Sequence, residues 1–541
     1  MKKTVRAKFK NAALMLLCMA VAAGASGCGA ESQGSSAGEP QETSDALETI
    51  GLATGLMYDS EYDDDLDMTT IEMSTPLVEP GTDTYEDDYP ELFETLESLN
   101  DQKSADADQW KSDTCIFYED ELDYMKEYGA HYTRNQNVYV QRADQRVVSL
   151  MYACDEYSMG AHGYYGFDGV NIDTESGNIL ELEDVVTDIP EFLTLLSAAV
   201  REKYPDVADS MVDTDEYLND LYNEGNLDYL TWYLGYEGIS VIFNTYDLAS
   251  YADGWQEVLI PYSECSDMVE SRYTEIPDSY AVEMDPYGEL DTDLDGDGNA
   301  ETITVSGEYD EYQTINQITV SVGKADGGAQ QYQKETYCYE YDPVLIHMAD
   351  GSCYLYNTLS GEDDYRYIDV YDLSGGMVTS LGETSVRTRG LYNEERGVYL
   401  TDVISNPNLM HLTVHSDMLG TMDAMTDYYV DEDGLPVSYV DYFTYDTTSD
   451  YAALTLKSSL EADTVGDDLN QDGSPVSDSS EKVTLQSGEK IIKSRTDNES
   501  WVDVILEDGS MARLYVDLEE WPTTVNGISE EDLFESVFYA G

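Results

Sequence analysis

A run of twelve apolar residues, Ala12 to Ala23, ends shortly before Ala25-Ser26-Gly27-Cys28, and this decides in which solvent the rest of the chain folds. Lys2, Lys3, Arg6, Lys8 and Lys10 precede the run, which is the charge arrangement of an export signal. A permanent spanning helix needs about 20 apolar residues, so this run is too short to be one. No later segment has 18 consecutive apolar residues. Everything after residue 28 is therefore expected to fold in water, outside the bilayer.

Small residues before a cysteine suit the cleft of a lipoprotein peptidase, and the segment resembles a bacterial lipobox, with Ala25 where leucine is commoner. Residues 1–27 read as a lipoprotein signal peptide. Cys28 reads as the lipidation site, where palmitate-class chains anchor the protein to the extracytoplasmic face of the cell membrane. Ordinary signal cleavage that leaves a free thiol is the alternative. Residues 28–51, rich in Gly, Ser, Glu, Gln and Thr at their start, read as a flexible tether. The whole sequence carries 112 acidic and 26 basic side chains, a formal charge of −86. Such a surface repels phosphates, which excludes nucleic acid as a partner, and it favours basic proteins or metal ions. The same charge also serves plain solubility.

Beyond Cys28 five cysteines remain: Cys115, Cys154, Cys265, Cys338 and Cys353. Cys338 and Cys353 flank a strand-turn-strand pattern turning at Asp350-Gly351, so a disulfide between them is one expectation. About 510 residues exceed what one core accommodates. Three units are expected: residues 52–279, residues 285–456, and residues 482–541 after an acidic linker at 457–481. In the first, Leu92, Leu96 and Leu99 have helical spacing, and residues 190–204 read as a helix with Pro190 in its opening turn. Residues 215–222 predict a second, shorter helix. Strands are expected at 137–141, 146–152, 164–172, 179–182, 239–243 and 256–260, an α+β pattern.

Gly160-Ala161-His162-Gly163 followed by Asn171-Ile172-Asp173, Thr174-Glu175-Ser176-Gly177 and Leu182-Glu183-Asp184 resembles the bacterial extracytoplasmic family 3298 of unknown function. Its members include the extracellular part of the anti-sigma factor RsiV, a lysozyme sensor, and a non-catalytic part of the peptidoglycan deacetylase PdaC. The resemblance covers residues 89–269. Met159 stands where that family usually has a glycine. The resemblance implies an RsiV-like extracellular domain that recognises cell-wall material or a wall-attacking protein. From the residues alone, Gly160 and Gly163 predict a tight path that fixes His162, with Tyr164 and Tyr165 offering aromatic surface. These three are the candidate ligand-binding residues, and a structural hydrogen-bonding role for His162 is the alternative.

In the second, mainly-β unit, Asp293, Asp295 and Asp297, with Glu301, have the spacing of oxygen ligands around a hard cation, and calcium is the expected ion. An acidic turn without an ion is the alternative. Thr304 occupies the place where an EF-hand needs glutamate, so the run is closer to the calcium loops of integrin-type propeller repeats. His411 and His415 have metal-pair spacing without the acidic companion stretch of a deacetylase. Residues 482–541 resemble a small SH3-like β-barrel, through their hydrophobic rhythm, Trp501 and Asp508-Gly509. The expected function is a membrane-anchored extracellular lipoprotein that binds lysozyme or peptidoglycan without catalysis. A wall glycan hydrolase or deacetylase and a structural or adhesive surface protein are the alternatives. No residue set in the sequence assigns catalysis.

Overall fold

The computed structural model describes residues 47–540 apart from 65–66, 82–83, 85–86, 325–327, 362–365, 394–395, 477–480 and 519–521. The signal peptide, Cys28 and all but the end of the tether lie outside the described residues. No described helix is long and apolar enough to cross a membrane.

The helix expected around Leu92 runs much further, from Pro90 to Tyr128. Proline at the first turn starts it, no glycine or proline interrupts it, and Gly129 at φ 64° ends it. Leu92, Leu96 and Leu99 pack on Val138, Val140, Leu150 and Tyr152 of a seven-stranded sheet. Across that sheet the strands run Gly390–Asn393, Val398–Asp402, Leu52–Asp63, Met68–Pro80, Tyr132–Ala143, Val147–Tyr157 and Tyr164–Asp173. Only the pair 68–80 and 132–143 is parallel. The expected partner of 164–172 does not form a strand: Ile179 makes a single bridge to Ile172.

Helices Ile189–Lys203 and Thr214–Glu224 follow, each capped by an aspartate whose carboxylate accepts a first-turn N–H. Phe192, Leu193, Leu196 and Val200 bury one face of the longer helix against Val241, Phe243 and Ile260. Those three belong to a meander of Thr231–Leu234, Gly238–Phe243 and Gln256–Pro261.

The middle of the chain is β, as expected. A four-stranded sheet (290–292, 301–309, 315–323, 329–338) shares a core with a five-stranded sheet ordered 379–384, 366–372, 353–360, 340–347, 280–283. The hairpin at Asp350-Gly351 forms, but it sets His347 opposite Cys353. Cys338 ends another strand, opposite Ile315. Both cysteines are free and buried, as is Cys265; Cys115 and Cys154 are also free.

The SH3-like barrel does not exist. The strands after residue 482 are part of an open sheet of 13 strands that also takes Met410–Ser416, Met422–Val430, Phe443–Tyr445, Ala453–Thr455 and Leu460–Val465. Phe443 pairs with Thr496, and Leu460 pairs with Leu485. The core confirms the merger: Val502, Val504 and Leu514 bury against Ala424, Tyr445 and Leu454. The physical reason is that alternating hydrophobicity specifies a strand with one buried face but not what its edges pair with. Here upstream strands occupy those edges, so the sheet extends instead of closing. Part of the expected linker, Leu460–Val465, is one of these strands.

Two buried charge networks hold the architecture. Arg142, fully buried, donates to Asp144 at 2.7 Å and to the carbonyls of Tyr273 and Glu275 at 2.7 and 2.8 Å. Near the C-terminus Asp503 sits between Arg495 and Arg513, with contacts of 3.1 and 2.7 Å.

Candidate functional site

The loop before strand Tyr164–Asp173 places His162 on the surface. Met159 has φ 57°, the left-handed region that glycine occupies at no steric cost, which accounts for the glycine usual there in the resembling family. A Cβ on Gly163 would come within 2.9 Å of the Glu156 carbonyl oxygen. His162 stacks on Tyr251 at 3.9 Å between ring centroids, and its Nε2 lies 3.4 Å from the Tyr246 hydroxyl. Its Nδ1 lies 2.8 Å from the Gly163 carbonyl oxygen. Tyr164 is exposed nearby in the chain. Tyr165 turns elsewhere: its hydroxyl donates to Asp285 at 2.9 Å, and its ring packs against Phe167 and Trp255. Alternation along the strand is the cause, since neighbouring residues face opposite sides. Tyr246 and Tyr251 come from a segment more than 80 residues further on, so nothing local in the sequence places either beside His162.

In the Asp-rich loop, carboxylate oxygens of Asp293, Asp295 and Asp297 lie within 4.8 Å of one another, and among the described residues no other such group of histidine, cysteine or acidic side chains occurs. Gly296 and Gly298 turn the chain at φ 73° and 88°. Asp293 accepts N–H bonds from Gly296 and Gly298 at 2.8 and 2.9 Å, which aims the loop inward. An all-oxygen set of this kind fits a hard divalent cation. Glu301 is not one of the three; its carboxylate, nearly buried, accepts the Leu294 N–H at 3.0 Å. The loop is fastened to the preceding region. Glu237 accepts the Thr292 hydroxyl and the Asp293 N–H, and Lys203 on helix Ile189–Lys203 meets Asp291 at 2.7 Å and Glu289 at 2.9 Å.

Beside Glu237, His347 Nδ1 lies 3.2 Å from the Cys353 sulfur, and His347 Nε2 lies 3.5 Å from Glu237. This has the outline of a nucleophile with its base, but the electrostatics oppose it. Burial lowers the imidazole to about 4 and raises the thiol to about 12, so both are neutral at pH 7 and the thiolate is scarce. The other histidine candidates are each held separately. His411 Nδ1 is 2.8 Å from Asp427, while His415 is exposed and 3.4 Å from Asp417.

An open groove of about 990 Å³ lies between the seven-stranded and five-stranded sheets. Leu56 and Tyr58 contribute to one wall, Glu340, Asp342 and Val344 to the other. Glu283, opposite Val344 in the ladder, faces the same side as Asp342. Burial, with Glu340 adding and Arg366 opposing, raises Asp342 to about 6; burial raises Glu283 to about 7 although it accepts the Val140 N–H at 2.7 Å. Asp342 is open to the groove while having protein on most sides, so groove water screens part of its shift. Tyr58, Tyr287 and Tyr399 also line the groove and are 75, 68 and 74% exposed. Arg396 is engaged with Asp101 at 3.0 Å. The result is an open cleft with exposed tyrosines and an excess of carboxylates.

Comparison with known proteins gives one family. Residues 183–263 match the sequence profile described as Protein of unknown function (DUF3298). That span includes Lys203, Glu237, Tyr246 and Tyr251, and leaves out His162 and the groove residues. No curated protein matches the chain. Among solved structures, a DUF3298 family member from Bacteroides fragilis NCTC 9343 is 20% identical with a TM-score of 0.32, over 43% of this chain and 98% of that one. A DUF3298 family protein from Pseudomonas aeruginosa PAO1 is 14% identical with a TM-score of 0.28, over 42% of this chain and 97% of that one.

Proposed function

This chain contains a DUF3298 domain, and on that premise we propose that it is a lipid-anchored, non-catalytic binding protein of the bacterial cell surface whose ligand is wall peptidoglycan. The observation that carries the reading is the groove: its volume has room for several sugar units, and its tyrosines and carboxylates suit sugar rings and polar hydrogens. The anchor at Cys28 would hold that groove near the wall.

Co-sedimentation of the full-length chain with purified sacculi tests this. Binding is expected to saturate and to weaken at least tenfold, on the order of 1.4 kcal/mol, in a Tyr58→Ala/Tyr399→Ala double variant. Unchanged binding by that variant, or none by the wild type, would sink the reading. A second reading, capture of a basic protein such as lysozyme, is favoured by the charge of −86 and by the exposed His162 with Tyr246 and Tyr251. Calorimetry with lysozyme at two salt concentrations, with an unrelated basic protein as control, decides it: specific binding weakened by His162→Ala supports this second reading.

Calcium is the cation we propose for Asp293, Asp295 and Asp297, with the role of stiffening the junction that Glu237 and Lys203 make. At a hundredfold excess over Kd a native-state ligand adds about 2.7 kcal/mol of stability. Calcium added to chelator-treated protein should therefore raise Tm by several degrees, and Asp295→Asn should abolish the rise. Equal rises in both proteins would refute a site in this loop.

A further inference from the structure

We infer that the groove selects an extended glycan whose sugars carry free amino groups, a deepening that rests on the wall-binding reading above. Three features point to this ligand together. The volume, about 990 Å³, is at the upper end for small-molecule sites and has room for several linked rings. Exposed Tyr58, Tyr287 and Tyr399 offer flat, rigid faces against which the C–H side of a pyranose packs with little loss of side-chain freedom.

The third feature is charge. Glu283, Glu340 and Asp342 stand on two neighbouring strands, with Glu340 and Asp342 two residues apart and so on one face. Their mutual repulsion shows in Asp342, which Glu340 pushes upward, and in Tyr58 across the groove, whose hydroxyl is raised by burial and then by Glu340 and Asp342. An ammonium placed among them relieves that repulsion, whereas an acetamido group does not. Two arginines line the groove: Arg396 already faces Asp101 and Glu79, at 3.0 and 3.9 Å, and Arg366 offsets only part of the repulsion, since Asp342 stays raised.

A basic peptide would bring the same charge, but the backbone argues against it. The strand Tyr280–Glu283 is the edge of its sheet, and that edge is engaged: the Ala281 N–H donates to the Ser405 carbonyl at 3.2 Å, and the Glu283 carbonyl accepts from the Gln141 side-chain amide at 3.1 Å. An extended peptide would find no free ladder to join there.

The test compares three probes of equal length on the full-length chain by calorimetry at low salt: a hexamer of β-1,4-glucosamine, the same hexamer fully N-acetylated, and hexalysine. The glucosamine hexamer is expected to bind at least tenfold more tightly than either of the others. Glu340→Gln/Asp342→Asn should bring the two sugar hexamers to equal affinity, while Tyr399→Ala should weaken both. Equal wild-type affinity for the two sugars overturns the amine selection while leaving sacculus binding standing. Hexalysine binding as tightly as the glucosamine hexamer overturns the glycan assignment. No binding of either sugar together with no binding to sacculi removes the wall-binding reading itself. The wild-type comparison stands even where a variant does not fold.

Discussion

Asp503→Ala is expected to cost about 3–5 kcal/mol of stability, the penalty typical of removing one partner from a buried ion pair. Asp503 is fully buried and accepts from Arg513 at 2.7 and 3.0 Å and from Arg495 at 3.2 Å. Without it two guanidinium groups stay inside with no counter-charge. They are not free to leave, because Arg495 also holds the carbonyls of Gly466 and Asp467, and Arg513 holds that of Gly473 and lies 3.5 Å over the Trp501 ring. Urea unfolding followed by intrinsic tryptophan fluorescence and circular dichroism measures the loss. A change below about 1 kcal/mol, the range of exposed pairs, would show that the network does not support the open sheet.

Arg142→Met is the second large effect, again about 3–5 kcal/mol. The substitution keeps most of the volume but strands Asp144, which is fully buried and whose other oxygen accepts the Arg146 and Val147 N–H groups at 2.7 and 3.0 Å. It also frees the carbonyls of Tyr273 and Glu275, so the segment 271–276 should become the first site of proteolysis. Adding Asp144→Asn removes the stranded charge, and the double variant should be less destabilised than the sum of the singles. Strict additivity in thermal unfolding would contradict a coupled pair.

Local elements were legible in the sequence because local causes make them. Asp188 and Pro190 with apolar residues at helical spacing give Ile189–Lys203 its start and buried face, and Asp213 and Gly225 bracket Thr214–Glu224. The Asp-rich run was legible for the same reason, since Asp293, Asp295 and Asp297 converge through two glycine turns within six residues. Glu301, four residues further, was not: its carboxylate answers to the Leu294 N–H. Tyr165 was lost to strand alternation, and the disulfide to register, which puts His347 rather than Cys338 opposite Cys353. The barrel and the groove failed for a larger reason. Strand edges carry no side-chain pattern that names their partner, so neither the pairing of 460–465 with 482–485 nor the meeting of Tyr58, Glu283, Asp342 and Tyr399 leaves a local trace.

The strand Leu52–Asp63 pairs on one side with its neighbour Met68–Pro80 and on the other with Val398–Asp402. A chain delivered N-terminus first therefore cannot finish its first sheet until about three quarters of it has emerged. Ala53 must wait for Asp402, and until then one flank of the earliest strand is bare backbone, ready to pair with whatever passes. So long a loop closure slows folding and lengthens that exposure. Holding the nascent chain unpaired until its tail arrives thus becomes a requirement that this topology places on the cell.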